Sequence, residues 1–200
     1  MSEWNRTAWA AVMTAALALS AVPRAARAQS DVFAVNYYAN ANTGGPDAKV
    51  RITNPGTAGA PSPSGDLCAL IYVFTPDQQM AECCGCKVTP NGLLTLSVQR
   101  DLTSNALTGV TLTTGAIKLL SSTASAKGVC DGASPTPTPA LIAWATHLQR
   151  PDGSTTALTE APFEKATLSA QELAVLQDRC GDIQDNGSGH GVCTCGSAEN

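Results

Sequence analysis

The sequence predicts a mainly β fold: an antiparallel β-sandwich of six or seven strands closed by one C-terminal amphipathic helix. Three observations predict it. Apolar residues recur with period two in several short segments. Turn-forming residues punctuate the chain at intervals of about ten positions. One late stretch combines helical periodicity with a capping signal.

The elements follow in chain order. Residues 8–22 (AWAAVMTAALALSAV) are apolar, with Arg6 before them and Ala26-Arg27-Ala28 after them. That is the layout of a secretory signal peptide over residues 1–28, with a small-x-small cleavage signal. The run is short of the roughly 20 residues a membrane span needs. An uncleaved N-terminal anchor is the competing reading. No cysteine follows the cleavage signal, so a bacterial lipid anchor is not indicated. Cleavage leaves residues 29–200, expected to form one domain with nine Lys and Arg against fifteen Asp and Glu. An acidic chain with pI near 5.0 lacks the basic stripe that a nucleic-acid partner requires. After signal cleavage no stretch reaches transmembrane length.

Strand signatures then recur. Phe33, Val35 and Tyr37 alternate with Ala34 and Asn36. Val50 and Ile52 alternate with Lys49, Arg51 and Thr53, and Asn54-Pro55-Gly56 stops that strand. A loop over residues 61–66 leads into residues 67–75, apolar on both faces as in a strand covered on both sides. Pro90-Asn91-Gly92 is a turn whose Asn-Gly pair accepts positive φ. Leu94, Leu96 and Val98 form the next alternation, and Ile117 and Leu119 flank Lys118. Residues 134–139 alternate Pro with Ser or Thr and read as a short extended loop. Residues 141–147 carry Ile142 and Trp144 on one face, and residues 155–159 add a short edge strand.

The helix spans about residues 169–186. Ser169 and Glu172 form a capping box, in which the serine takes an orphan amide and the glutamate reaches back. Leu173, Leu176, Cys180 and Ile183 share one stripe, and Asp185-Asn186-Gly187 ends it. The helix is expected to pack on the sheet or across one open end of it. A Gly-rich, Cys-containing tail follows. The run from Val50 through Arg51, Ile52, Thr53, Asn54 and Pro55 to Gly56 resembles a strand exit of bacterial immunoglobulin-like or fibronectin-like modules. That resemblance implies an immunoglobulin-like sandwich.

The cysteines carry the most distinctive chemistry. Cys83-Cys84-Gly85-Cys86 reads as a loop, and Cys68, Cys130, Cys180, Cys193 and Cys195 complete the set of eight. An even count in an exported chain favours disulfides, with 105 possible pairings. Adjacent cysteines rarely bond each other, so Cys83 and Cys84 need separate partners. Cys180 lies within sequence reach of Cys193 and Cys195. The second reading is zinc or copper(I), held by Cys83, Cys84, Cys86, His190, Cys193 and Cys195. The spacing departs from standard zinc sites, and an oxidising space does not keep thiolates reduced. The third is redox chemistry at Cys83-x-x-Cys86. It lacks the following helix that would lower a thiol pKa.

Other chemistry is thin. His147 and His190 are the only histidines. Ser188 lacks the first glycine of a nucleophile elbow, because Asn186 stands there. Gly187, Gly189 and Gly191 follow a helix rather than precede one, so they do not aim a helix N-terminus at phosphate. Asp182, Asp185 and Asn186 lack the EF-hand order. Asn186-Gly187-Ser188 matches a glycosylation sequon in form. A glycan-stacking platform needs exposed aromatics, and few remain once the core is filled, although Tyr37 and Tyr38 cannot both point inward.

The segments around Cys68 and Cys83-Cys84-Gly85-Cys86, Ala161-Pro162-Phe163, and Gly189-His190-Gly191-Val192-Cys193 resemble an uncharacterised family of secreted acidobacterial proteins. The resemblance implies export and a shared cysteine framework, and it carries over no activity. The expectation is therefore an exported, non-enzymatic structural, adhesive or binding module, with a protein or cell-envelope component as partner and no cofactor. The alternative is an envelope metal-binding or thiol redox protein. Its expected place is secreted: extracellular, at the cell surface or periplasmic.

Overall fold

The structure is a computed structural model and describes residues 32–56, 65–150 and 152–196. The predicted signal peptide over 1–28 and residues 61–64 of the predicted loop lie outside the described residues. In chain order the elements are β1 (Phe33–Tyr38), β2 (Lys49–Thr53), β3 (Leu67–Phe74), β4 (Met80–Val88) and β5 (Leu93–Ser97). A single π-helical turn (Val98–Leu102) follows. Then come β6 (Gly115–Thr123), β7 (Ile142–Gln149), β8 (Ala157–Pro162), β9 (Glu164–Lys165) and α1 (Ala170–Asp185).

The strands form two antiparallel sheets packed together. One has five strands in the order β4-β3-β6-β1-β9, and the other four in the order β5-β2-β7-β8. The pairs β1 with β6, β2 with β5 and β3 with β4 are nested inside one another along the chain. The first six strands therefore behave as one long hairpin rolled into two layers. β7 and β8 then extend the smaller sheet beyond β2.

Burial follows this layering. Val50, Ile52, Leu96, Ala143 and Ala145 of one sheet meet Ala69, Ile71, Val73, Ile117 and Leu119 of the other. The opposite face of the larger sheet, with Cys68, Leu70, Tyr72 and Leu120, packs on Leu176, Cys180 and Ile183 of α1. β3 is buried at every position because it has a strand on each side and a layer on each face. That is the physical reason its sequence is apolar throughout. Lys118 ties β6 to α1 through Glu172 at 2.6 Å, and its ammonium lies over the Phe74 ring.

Local chemistry matches much of the sequence reading. Ser169 accepts the Glu172 amide at 3.0 Å and starts α1, while Gly187 takes φ +65° just beyond its end. Asn91 holds φ +60° in the turn before β5. Tyr38 points inward and Tyr37 outward. On β7 the alanines, not Ile142 and Trp144, face the core: Ala143 and Ala145 are buried, while Ile142 is exposed. Three features differ from expectation. Nine strands form among the described residues rather than six or seven. The Cys-Cys-Gly-Cys stretch is the middle of β4, not a loop. After β5 the chain makes a π-turn, with Ser97 accepting the Arg100 amide at 2.8 Å.

Candidate functional site

A stack of two open sheets has two long edges. On one side the C-terminal tail runs between the edge strands β4 and β5; on the other β1 packs against β7. The fold treats the two edges differently, and the candidate site follows from that difference.

The cysteines seal the first edge. Alternation along β4 sends Cys83 and Gly85 toward the α1 layer and Cys84 and Cys86 toward the space between the sheets. Cys83 bonds Cys180 and fastens α1 to the larger sheet. Cys84 bonds Cys193 and Cys86 bonds Cys195, so the tail is held by two rungs two residues apart. Backbone bonds complete this parallel pairing: Cys83 donates to the Gly191 carbonyl at 2.8 Å, and Cys193 donates to the Cys83 carbonyl at 3.2 Å. The tail also reaches the smaller sheet, where Thr194 donates to the Asp101 carbonyl of the π-turn at 3.0 Å. It thereby covers the exposed edge of β4, a surface otherwise open to pairing with another chain. The fourth bond, Cys68–Cys130, draws the β6–β7 connection over β3. Gly85 is glycine because this connection crosses it: a Cβ there would lie 2.3 Å from the Cys130 carbonyl oxygen.

All eight cysteines are thus in disulfides, and the pairing corrects one expectation. Cys180 does not join the tail cysteines. Its stripe turns it toward the β4 face that Cys83 occupies. The zinc or copper(I) set is distributed likewise. Cys83, Cys84, Cys86, Cys193 and Cys195 present no thiolate in this form, and His190 Nδ1 lies 3.1 Å from Asn105 Oδ1. The Cys83-x-x-Cys86 pair does not close on itself, since each sulfur has its own distant partner.

Several titratable groups are buried, Glu82, Tyr38 and His147 among them. Glu82, fully buried on β4, accepts the Asn105 amide at 2.8 Å through Oε1, while Oε2 has no partner. Burial raises its carboxyl pKa to about 7, opposed by that hydrogen bond. Burial first, and then the Glu82 charge, raises the Tyr38 phenol above its ordinary range. Asn105 also donates to the Gly189 and Val192 carbonyls, so it links Glu82 to the tail. His147 is buried, its Nε2 has no partner, and burial lowers its pKa. Its ring meets Tyr37 edge-on with centroids 3.9 Å apart. Ser188 and Asn186 are occupied with a local turn.

The second edge is open. Between β1, β6 and β9 on one side and β7 and β8 on the other lies a cavity of about 410 Å³. Ala34, Leu119, Leu141, Ala143 and Phe163 make its walls apolar, and Lys165 stands in the lining. Ala140 on its wall holds φ +147°, a conformation that L-residues rarely adopt. Besides Lys165, the lining includes one polar residue, Ser121. Ser121 is 3% exposed, and its hydroxyl is buried beneath the cavity surface without a hydrogen-bond partner. Its backbone is fully used, donating to Val32 and accepting from Thr138. Sequence reasoning missed Ser121, although a signal existed. It continues the inward alternation of Ile117 and Leu119, where a polar residue is out of place.

No protein-family model, curated protein or solved structure matches this chain. The four disulfides indicate an oxidising, extracytoplasmic location, and no helix among the described residues is long and apolar enough to cross a membrane.

Proposed function

We propose that the chain is an exported, non-enzymatic binding module that takes a small apolar ligand into the cleft at its open edge. The observation that carries this reading is the asymmetry of the two edges. One is closed by the cross-linked tail, and the other keeps an apolar cavity of about 410 Å³, whereas the clefts of about 300 and 400 Å³ beside the tail and α1 are lined largely by polar and charged side chains. That volume falls within the roughly 300–1,000 Å³ of small-molecule sites, which combine apolar walls with few polar groups. The disulfides support it further, because a cross-linked frame loses little conformational freedom when a ligand binds. The signal-peptide layout favours release into the periplasm or beyond it, as does the resemblance to secreted acidobacterial proteins. Two antiparallel sheets packed together support a sandwich, the coarser part of the immunoglobulin-like expectation. The nested strand pairs follow a rolled-hairpin order.

The test is a titration of the mature protein, made in an exporting host, with an apolar naphthylamine fluorophore. Saturable binding at one site is expected. Ala34→Phe, which fills the cleft from β1, should abolish it while thermal unfolding stays cooperative. Ala143→Leu, from the opposite sheet, provides the second variant. Binding that neither variant weakens, or no saturable binding at all, contradicts the reading.

A further inference from the structure

The cleft beside the tail has a chemistry of its own. Its volume is about 300 Å³, and its lining joins Asn42, Gln99, Thr103, Asn105 and Thr111 to His190 of the tail. The hydrogen bonds around it fix which atoms are spent. Asn105 donates its amide protons to the Gly189 carbonyl at 2.8 Å and the Val192 carbonyl at 3.1 Å. That network assigns its side-chain oxygen to the place 3.1 Å from His190 Nδ1. An amide oxygen only accepts, so Nδ1 carries the proton and Nε2 keeps a lone pair. The backbone of His190 is held as well, its amide donating to Ser188 Oγ at 3.1 Å. The tail that carries it is locked by the bond from Cys84 to Cys193.

The neighbouring side chains are spent in the same sense. Asn42 donates its amide protons to Thr103 Oγ1 at 3.0 Å and the Leu112 carbonyl at 2.9 Å. Thr103 donates to the Val98 carbonyl at 2.7 Å, and Ser104 to the Arg100 carbonyl at 2.6 Å. Gln99 turns its amide nitrogen to the Gly45 carbonyl at 3.4 Å. What these residues leave over is acceptors: Asn42 Oδ1, Gln99 Oε1 and His190 Nε2. A carboxylate entering the cleft would meet mostly lone pairs. One imidazole among neutral amides is too small a ligand set for a transition metal. An ammonium matches the set, with three protons to donate and no lone pair of its own. Asn42 and His190 are exposed, so the charge keeps part of its hydration. The chain's excess of acidic side chains adds a long-range attraction for cations. A water occupies about 30 Å³ in the liquid, so a volume of about 300 Å³ holds roughly ten heavy atoms. We infer that this cleft is a second site, which binds a small primary ammonium compound through His190 Nε2 and the Asn42 and Gln99 side-chain oxygens.

The experiment is an NMR titration of the isotope-labelled mature protein at pH 8 with pentylammonium chloride, pentanol and sodium pentanoate. The three probes share a chain and differ in head group. His147 and His190 are the only histidines, so the ring nitrogens of His190 are read directly. The free protein is expected to show His190 protonated at Nδ1 and bare at Nε2. Pentylammonium should shift the Nε2 signal saturably, at a concentration about tenfold or more below that at which pentanol or pentanoate does so. Gln99→Glu, which puts a carboxylate among the acceptors, should tighten pentylammonium binding about tenfold. His190→Phe, followed through the Asn42 amide signal, should weaken it about tenfold. Thermal unfolding should stay cooperative in both variants. A proton on Nε2, equal shifts from the three probes, no saturable shift with pentylammonium, or no tightening in Gln99→Glu overturns the inference. His190 reports this cleft alone, so any of these results leaves the binding site at the open edge standing.

Discussion

Removing all three disulfides that β4 makes, by alanine at Cys83, Cys84, Cys86, Cys180, Cys193 and Cys195, is expected to yield a chain that does not fold. The three bonds close loops of 97, 109 and 109 residues, yet they are not equivalent contributions. In the chain-entropy treatment a loop near 100 residues is worth about 4.7 kcal/mol and one near 15 residues about 3 kcal/mol. Whichever bond remains keeps the long loop closed. With Cys83–Cys180 in place, the tail rungs close only the short circuit from β4 through α1 to the tail. The second rung, beside the first, closes a ring of a few residues worth about 2 kcal/mol. Loss of Cys84–Cys193 alone, or of Cys86–Cys195 alone, should therefore cost about 2 kcal/mol. Loss of both rungs should cost about 5 kcal/mol, and loss of all three about 10 kcal/mol. The last figure equals the whole stability of an ordinary domain, about 5–15 kcal/mol. Urea unfolding of the paired variants measures this. A single-rung loss as large as the loss of both would mean that the two rungs do not hold the tail independently.

The second large effect is a dependence on pH. The Glu82 carboxyl has a pKa of about 7 in the fold, against an ordinary carboxylate value when unfolded. The folded chain thus binds the extra proton between those values. Its contribution is fully present below the unfolded pKa and is lost as pH rises through about 7. The loss amounts to about 3 kcal/mol. His147 opposes it: its lowered pKa makes the fold lose stability as pH falls through the ordinary histidine range. Two groups face Glu82, the Asn105 amide and the Tyr38 phenol, and the phenol stays neutral throughout this range. Glu82→Gln should be more stable than the parent at pH 8 and should lose the gain on acidification, keeping only the His147 decline. Unfolding midpoints taken between pH 5 and pH 8 check it. Parallel curves for the two proteins would mean that the Glu82 carboxyl keeps its ordinary pKa in the fold.

Legibility in the sequence depended on how local the signal was. Period-two alternation marks β2 because Val50 and Ile52 face the core while Arg51 faces water and pairs with Glu160. β3 was legible as a doubly covered strand, and α1 through its capping serine and apolar stripe. β4 was not legible. Its cysteines look like a loop until their partners are known, and those partners lie 97 and 109 residues away. Two faces of one strand are hidden there behind a single residue type. The π-turn was hidden too, because Asp101, which accepts the Ser97 amide at 2.7 Å, announces itself only through tertiary contacts. The cleft was half visible. Ser121 breaks an apolar alternation, but the wall opposite it comes from β7, β8 and the residues before them. Glu82 gave no sign, since burial of a carboxylate is decided by what the tail and the loop around Asn105 cover.

The central claim is that the cysteines build the frame and that binding takes place at the open edge. It is tested most directly by mapping the disulfides of protein purified from an exporting host, with thiol alkylation before reduction and elemental analysis alongside. The prediction is a protein eight hydrogens lighter than its reduced form, with no alkylatable thiol. Its cross-linked peptides should join Cys68 to Cys130, Cys83 to Cys180, Cys84 to Cys193 and Cys86 to Cys195. Free thiols at Cys84, Cys86, Cys193 and Cys195 with stoichiometric zinc or copper would contradict it and move the function to the cysteines themselves.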